Sequence, residues 1–66
     1  MISLGDRFPK EQARCREALK AYEEIGPAGA FGAMLIRLVL ERADKAAISG
    51  DVAEMIAVFQ EMVEVK

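Results

Sequence analysis

Hydrophobic positions near the start of the chain recur at intervals of three and four residues, which is the spacing of one helix face. The positions that share this face are Phe8, Gln12, Cys15, Leu19 and Tyr22. Asp6 is a favoured N-cap residue and proline is tolerated in a first turn, so the helix is expected to begin between Asp6 and Pro9. A C′ glycine followed by proline, Gly26-Pro27, ends a helix. The pattern therefore predicts a first helix over residues 9–25.

The next segment, from Ile25 to Ile36, contains no charged residue in a chain that is 30% charged. It continues into an amphipathic stretch, and Gly50 is the expected terminator, so a second helix is predicted over residues 28–48. The first half of this helix has apolar residues or glycine on every face. A helix that is apolar all round is expected to be buried all round.

A third helix is predicted over residues 52–64. Asp51 followed by Glu54 suggests a start resembling a capping box. Its apolar stripe consists of Val52, Met55, Ile56, Phe59, Met62 and Val63. The link Ser49-Gly50-Asp51 is so short that the second and third helices must form an antiparallel hairpin. The expected fold is all-α, a single domain over residues 1–66, either a three-helix bundle or a helix plus an antiparallel helical hairpin.

The glycine-rich segment after Ile25 has two interpretations. Small residues four apart, such as Gly29 and Ala33, let two helix backbones approach closely, which favours packing within the chain or between subunits. Alternatively, free N–H groups near the helix start and the positive end of the helix dipole receive an anion. On the packing interpretation the subunit interface is predicted to contain Phe31, Gly32, Ala33, Met34 and Ile36.

Three cations stand at helical spacing beside an aromatic residue near the start of the first helix. A ring next to cations suits a nucleotide-sized anion, because it offers a stacking surface and neutralising charge. The predicted ligand-binding residues are Arg7, Phe8, Lys10, Arg14, Gly26, Ala28 and Gly29. The alternative is a solvated helix face on which Glu11 and Glu17 pair with these cations.

Composition favours association over intrinsic stability. Hydrophobic residues make up 53% of the 66 residues and the mean hydropathy is +0.14, an apolar excess that predicts a homo-oligomer. Cys15 is the one cysteine and there is no histidine, so neither an intrachain disulfide nor a zinc site is expected. The net charge of −2 argues against non-specific nucleic-acid binding. With no leader-like or membrane-spanning pattern, a cytoplasmic location is expected.

The residue types also argue against catalysis. No histidine is available to activate Cys15, and a free cysteine on a helical seam is expected to pack as a small hydrophobe. A di-metal site between helices normally includes a Glu-x-x-His arrangement, which this chain lacks. We therefore expect a non-enzymatic protein with no metal and no cofactor.

The run from Glu24 to Ala33, EIGPAGAFGA, together with Gln12–Glu17 before it and Ser49–Val52 after it, resembles small uncharacterised proteins encoded by tailed phages and prophages. The resemblance covers nearly the whole chain and implies a short, cytoplasmic accessory phage product. Such products often bind host proteins or host signalling nucleotides and block them stoichiometrically. Some small helical phage proteins are oligomeric sponges for cyclic nucleotides, although their motifs are absent from this chain. The resemblance assigns no functional residue.

Two functions follow as expectations. The first is a homo-oligomeric helical binding protein that sequesters a small anionic, nucleotide-like host signalling ligand. The second is a protein-interaction module that binds and inhibits a host protein, using Met34, Met55, Met62 or the acidic third helix as its docking surface.

Overall fold

Three α-helices that all contact one another make up the fold. The computed structural model describes residues 3–66, and within that range the helices are α1 (Leu4–Ile25), α2 (Ala30–Ser49) and α3 (Val52–Glu64). A 3₁₀ turn, Gly26–Gly29, joins α1 to α2. No strand occurs in the described range. The prediction of an all-α fold with three helices is confirmed.

Helix α1 begins earlier than the sequence pattern predicts. Ser3 is the N-cap, and its hydroxyl accepts the backbone N–H of Asp6 at 3.3 Å. The prediction of Asp6 as N-cap was therefore wrong, and Pro9 lies inside the helix and not in its first turn. The helix ends as predicted, at Gly26, whose φ of 84° is a conformation that favours glycine.

The other two helices also have identifiable caps. The predicted start of the second helix at residue 28 was two residues early, because the 3₁₀ turn precedes Ala30. Gly50, with φ 71°, ends α2, and Asp51 caps α3 by accepting the N–H of Glu54 at 3.1 Å. The side chain of Glu54 turns instead to Arg42, 2.8 Å away. Of the two hydrogen bonds of a capping box, only the one from the backbone of Glu54 to the side chain of Asp51 is therefore present.

The core lies between one face of each helix. Its buried hydrophobic residues are Phe8, Cys15, Ala33, Ile36, Leu40, Ala43, Ala46, Val58 and Met62. The predicted seam of α1 faces this core: Leu19 and Tyr22 pack against it, and Gln12 donates a hydrogen bond to Asp44 of α2 at 2.8 Å. The polar seam residue thus finds a partner on the neighbouring helix, and the same carboxylate accepts Arg16 at 2.8 Å.

Helix α2 is not buried all round. Four large apolar side chains of its first half are 45% to 69% exposed, whereas Ala33 and Ile36 between them are buried. A bundle of three helices gives α2 only two neighbours, and both lie on the same side of it. The prediction of complete burial was therefore wrong for the face that points away from α1 and α3.

Candidate interaction surface

The aromatic residue of the predicted ligand site is part of the core. Phe8 is 1% exposed, and its ring stacks on Phe59 of α3 with centroids 6.4 Å apart and planes at 26°. The guanidinium of Arg7 lies 5.6 Å from the centre of the Phe59 ring. The prediction that Phe8 offers a stacking surface to a ligand was wrong, because α3 already occupies that surface.

Arg14, another predicted ligand residue, caps the end of α3. Its guanidinium donates to the carbonyl oxygens of Met62 at 2.6 Å and Val65 at 2.8 Å, and also to the carboxylate of Glu11 at 3.0 Å. A cation is favourable here because the last carbonyls of a helix carry partial negative charge. The hydrogen bond that Arg14 donates to the carboxylate of Glu11 raises the pKa of Arg14 above its ordinary value. Its donors are thus engaged within the chain, whereas Lys10 is exposed to solvent.

The glycine turn lies at the other end of α1 from these cations. Arg7 and Gly26 are separated by an unbroken helix, and at 1.5 Å per residue the separation is about 28 Å. Ala28 is exposed, whereas Gly29 is buried against α1, where a Cβ would overlap the carbonyl oxygen of Tyr22. The predicted ligand residues therefore do not form one site, and Gly29 serves close packing within the chain.

The predicted subunit interface divides into buried and exposed members. Ala33 and Ile36 are 2% and 5% exposed and belong to the core of this chain, while Gly32 packs against the ring of Tyr22. These three residues therefore pack within the chain and do not belong to a subunit interface. Phe31 and Met34 are exposed, at 69% and 45%.

The exposed apolar residues of α2 form a stripe on the face opposite the core. We call it the α2 stripe; its members are Phe31, Met34, Leu35 and Leu38. Their spacing of three, one and three residues places them on one side of a helix with 3.6 residues per turn. Sequence reasoning missed Leu35 and Leu38, although this spacing was the signal that could have found them.

A groove of about 800 Å³ adjoins the α2 stripe. Leu35 and Leu38 belong to both, and Tyr22 and Val65 lie on the opposite side of the groove. Its rim carries both signs of charge, from Glu41, Arg42, Lys45, Glu61, Glu64 and Lys66. Arg42 is held there by Glu54 and Glu61 of α3. The surface is thus an apolar floor with a mixed charged rim.

The methionines predicted for docking are not equally accessible. Met34 is exposed, Met55 is half-buried and Met62 is fully buried. The outer side of α3 carries exposed apolar residues of its own, namely Val52, Ile56 and Val63. The prediction that Met62 contributes to a docking surface was wrong, because its side chain is buried in the core.

Cys15 is fully buried, and its thiol lies 3.5 Å from the carbonyl oxygen of Met62. Burial raises the pKa of this thiol above its ordinary value. Among residues 3–66, no three His, Cys, Asp or Glu side chains come together in a way that could hold a metal ion. In the same range, no helix has the length and hydrophobicity needed to cross a bilayer.

Comparison with known proteins gives no relative: no family model, no curated protein and no solved structure matches this chain.

Proposed function

We propose that the protein is a non-enzymatic helical binding protein that acts by protein–protein contact through the α2 stripe. The observation that carries this proposal is the position of four large apolar side chains, 45% to 69% exposed, on the side of α2 that faces away from the core. None of these four residues belongs to the hydrophobic core of its own bundle. Contact with another protein is what would remove them from water.

The spacing of the α2 stripe suits recognition between helices. Helix-in-groove complexes use apolar anchors at positions i, i+3, i+4 and i+7, which are the positions of Phe31, Met34, Leu35 and Leu38. Complete burial of a fully exposed side chain of this size contributes about 1.5–3 kcal/mol before the costs of association, and these side chains have 45% to 69% of their surface left to bury. Phe31, the aromatic and most exposed member, is the natural anchor.

The resemblance to phage accessory proteins extends this proposal to a target: a host protein that the chain binds and blocks stoichiometrically. The nucleotide hypothesis stays a prediction. The residues on which it depended lie at opposite ends of α1, and Phe8 and Arg14 are engaged by α3. Calorimetric titration with cyclic and linear nucleotides tests it, and saturable heat would revive it.

Capture of proteins from host lysate tests the interaction proposal. The three baits are the tagged wild type, Leu38→Glu in the α2 stripe, and Ile48→Glu as the matched control. Ile48 is 88% exposed on the same helix but outside the α2 stripe. We expect a stoichiometric partner with the wild type and with Ile48→Glu, and its loss with Leu38→Glu. A partner retained equally by all three baits, or by none, would refute the proposal.

A further inference from the structure

We infer that a second copy of this chain covers the α2 stripe, with the two α2 helices antiparallel about a two-fold axis between Met34 and Leu35. Phe31 of each copy then sits at the groove of the other. The inference rests on the proposed function, because it concerns the same surface: the second copy covers the α2 stripe when no host target is bound, and a target must displace it. Three observations support it: the positions of the exposed apolar residues on α2, the positions of its charged residues, and the small size of the chain.

The groove adjoins the helix face on which Phe31 protrudes. Phe31, 69% exposed, protrudes near the start of α2, and Leu38, on the wall of the groove, follows two turns later. Seven residues correspond to about 10.5 Å along the helix. An antiparallel pair centred between residues 34 and 35 sets Phe31 opposite Leu38 of the second copy, and repeats that contact by symmetry. The same four residues thus form both sides of the proposed contact.

The charges on the same face favour the antiparallel arrangement. Beyond Leu38 the outward side of α2 carries Glu41, Arg42 and Lys45. In a parallel pair each of these would face its own copy, and like charges would oppose each other. In the antiparallel pair Glu41 lies just beyond the start of α2 of the second copy, close to the positive end of that helix. The first turn of α2 contains no acidic residue that would repel it.

The size of the chain also favours a second copy as the occupant. A bundle of 66 residues whose single cysteine is buried has no intrachain disulfide to stabilise it. Association is one of the few remaining sources of stability for a domain this small. The four residues of the α2 stripe are all apolar, so pairing them with a second copy removes no charge of their own from water.

A tryptophan at position 31 makes the contact directly observable, because the chain contains no tryptophan of its own. For Phe31→Trp we expect a monomer–dimer equilibrium in sedimentation, with the emission moving to shorter wavelength as dimer forms. Adding Leu38→Glu should give a monomer with water-exposed emission, and adding Ile48→Glu should leave the dimer intact. A monomer at every concentration up to millimolar, or a dimer that survives Leu38→Glu, would overturn the inference.

Cysteine cross-linking tests the orientation. Across the proposed axis, two copies of residue 35 are offset by one residue, about 1.5 Å, and two copies of residue 38 by about 10.5 Å. A disulfide requires Cα atoms within about 7 Å, so Leu35→Cys should cross-link readily under mild oxidation and Leu38→Cys should not. Native Cys15 is buried and does not compete. Equal cross-linking at both positions would overturn the antiparallel arrangement.

The two proposals can fail separately. A monomeric wild type that still captures a target, with loss of capture in Leu38→Glu, would refute the second copy and leave the proposed function standing. A dimer that captures no target would refute the proposed host target and leave the second copy standing.

Discussion

The ring of Tyr22 packs directly on the backbone of Gly32, so closely that a Cβ at position 32 would lie 2.5 Å from two ring carbons. The hydroxyl of Tyr22 donates to the carbonyl oxygen of Lys66 at 3.0 Å. One side chain of α1 thus contacts the start of α2 and the segment after α3. Because Tyr22 also lines the groove beside the α2 stripe, this contact sets the shape of the candidate interaction surface.

Replacing the two close-packing glycines should destabilise the fold to different degrees. Gly29→Ala places a methyl group against the backbone carbonyl of Tyr22, whereas Gly32→Ala meets only its ring, which can move. Overpacking typically costs about 1–3 kcal/mol, and alanine recovers about 1 kcal/mol of helix propensity at position 32. We expect Gly29→Ala to lose about 2–3 kcal/mol and Gly32→Ala about 1 kcal/mol in urea unfolding.

Two further variants check that mechanism. A Cβ at position 5 would meet only the hydroxyl oxygen of Ser3, at an ordinary contact distance of 3.7 Å, so Gly5→Ala should be neutral or stabilising. In a double-mutant cycle, Tyr22→Leu should relieve the cost of Gly32→Ala but not that of Gly29→Ala. Equal losses at positions 5, 29 and 32 would show that the close approach to Tyr22 is not the cause.

Removing Arg14 should loosen the end of α3. Arg14→Ala leaves the carbonyls of Met62 and Val65 without their charged donor. Because the side chain is 42% exposed, we expect a loss of only about 1 kcal/mol in the free energy of unfolding. Faster amide exchange in the last turn of α3 should accompany this loss. Lys10→Ala is the matched control on α1, and an equal effect there would count against a capping role.

Cys15 should make the stability depend on alkaline pH. Its folded-state pKa is raised by burial, so above about pH 8.5 the unfolded chain loses the thiol proton first. The unfolded state then binds fewer protons, and the free energy of unfolding falls as the pH rises toward the folded-state pKa. The contribution is fully present below about pH 8.5.

Urea midpoints of the wild type and Cys15→Ala, measured from about pH 7 to about pH 10, isolate this contribution from the other titrating groups. The wild type should lose stability more steeply than the variant across the upper half of that range. Parallel curves would show that the thiol is not shielded from solvent.

Local patterns in the sequence predicted most of the fold. The bounds of α3, its Asp51 cap and the terminating glycines at positions 26 and 50 all depend on neighbouring residues, and all are confirmed. The start of α1 was wrong because Asp6 and Pro9 imitate an N-terminus. Ser3, three residues before Asp6, supplies the actual cap.

The predicted site was less accurate, because it depended on contacts between distant parts of the chain. Arg14 bonds to carbonyls 48 and 51 residues away, and no pattern near Arg14 signals this. Phe8 was predicted to be exposed because the residues near it in the sequence do not indicate that Phe59 of α3 covers its ring. The α2 stripe was not predicted because a helix that is apolar on every face was expected to be buried on every face. Two neighbouring helices cannot cover a third on all sides.

Amide chemical shifts locate the interaction surface of the protein most directly. They are followed for the labelled wild type across a concentration series and then with added nucleotides. If the α2 stripe is that surface, the concentration-dependent shifts should cluster at Phe31, Met34, Leu35 and Leu38 and along the groove. The amides of Arg7, Lys10 and the Gly26–Gly29 turn should not respond to nucleotides. An unchanging α2 stripe, together with saturable nucleotide shifts at the turn, would show that the interaction surface lies elsewhere.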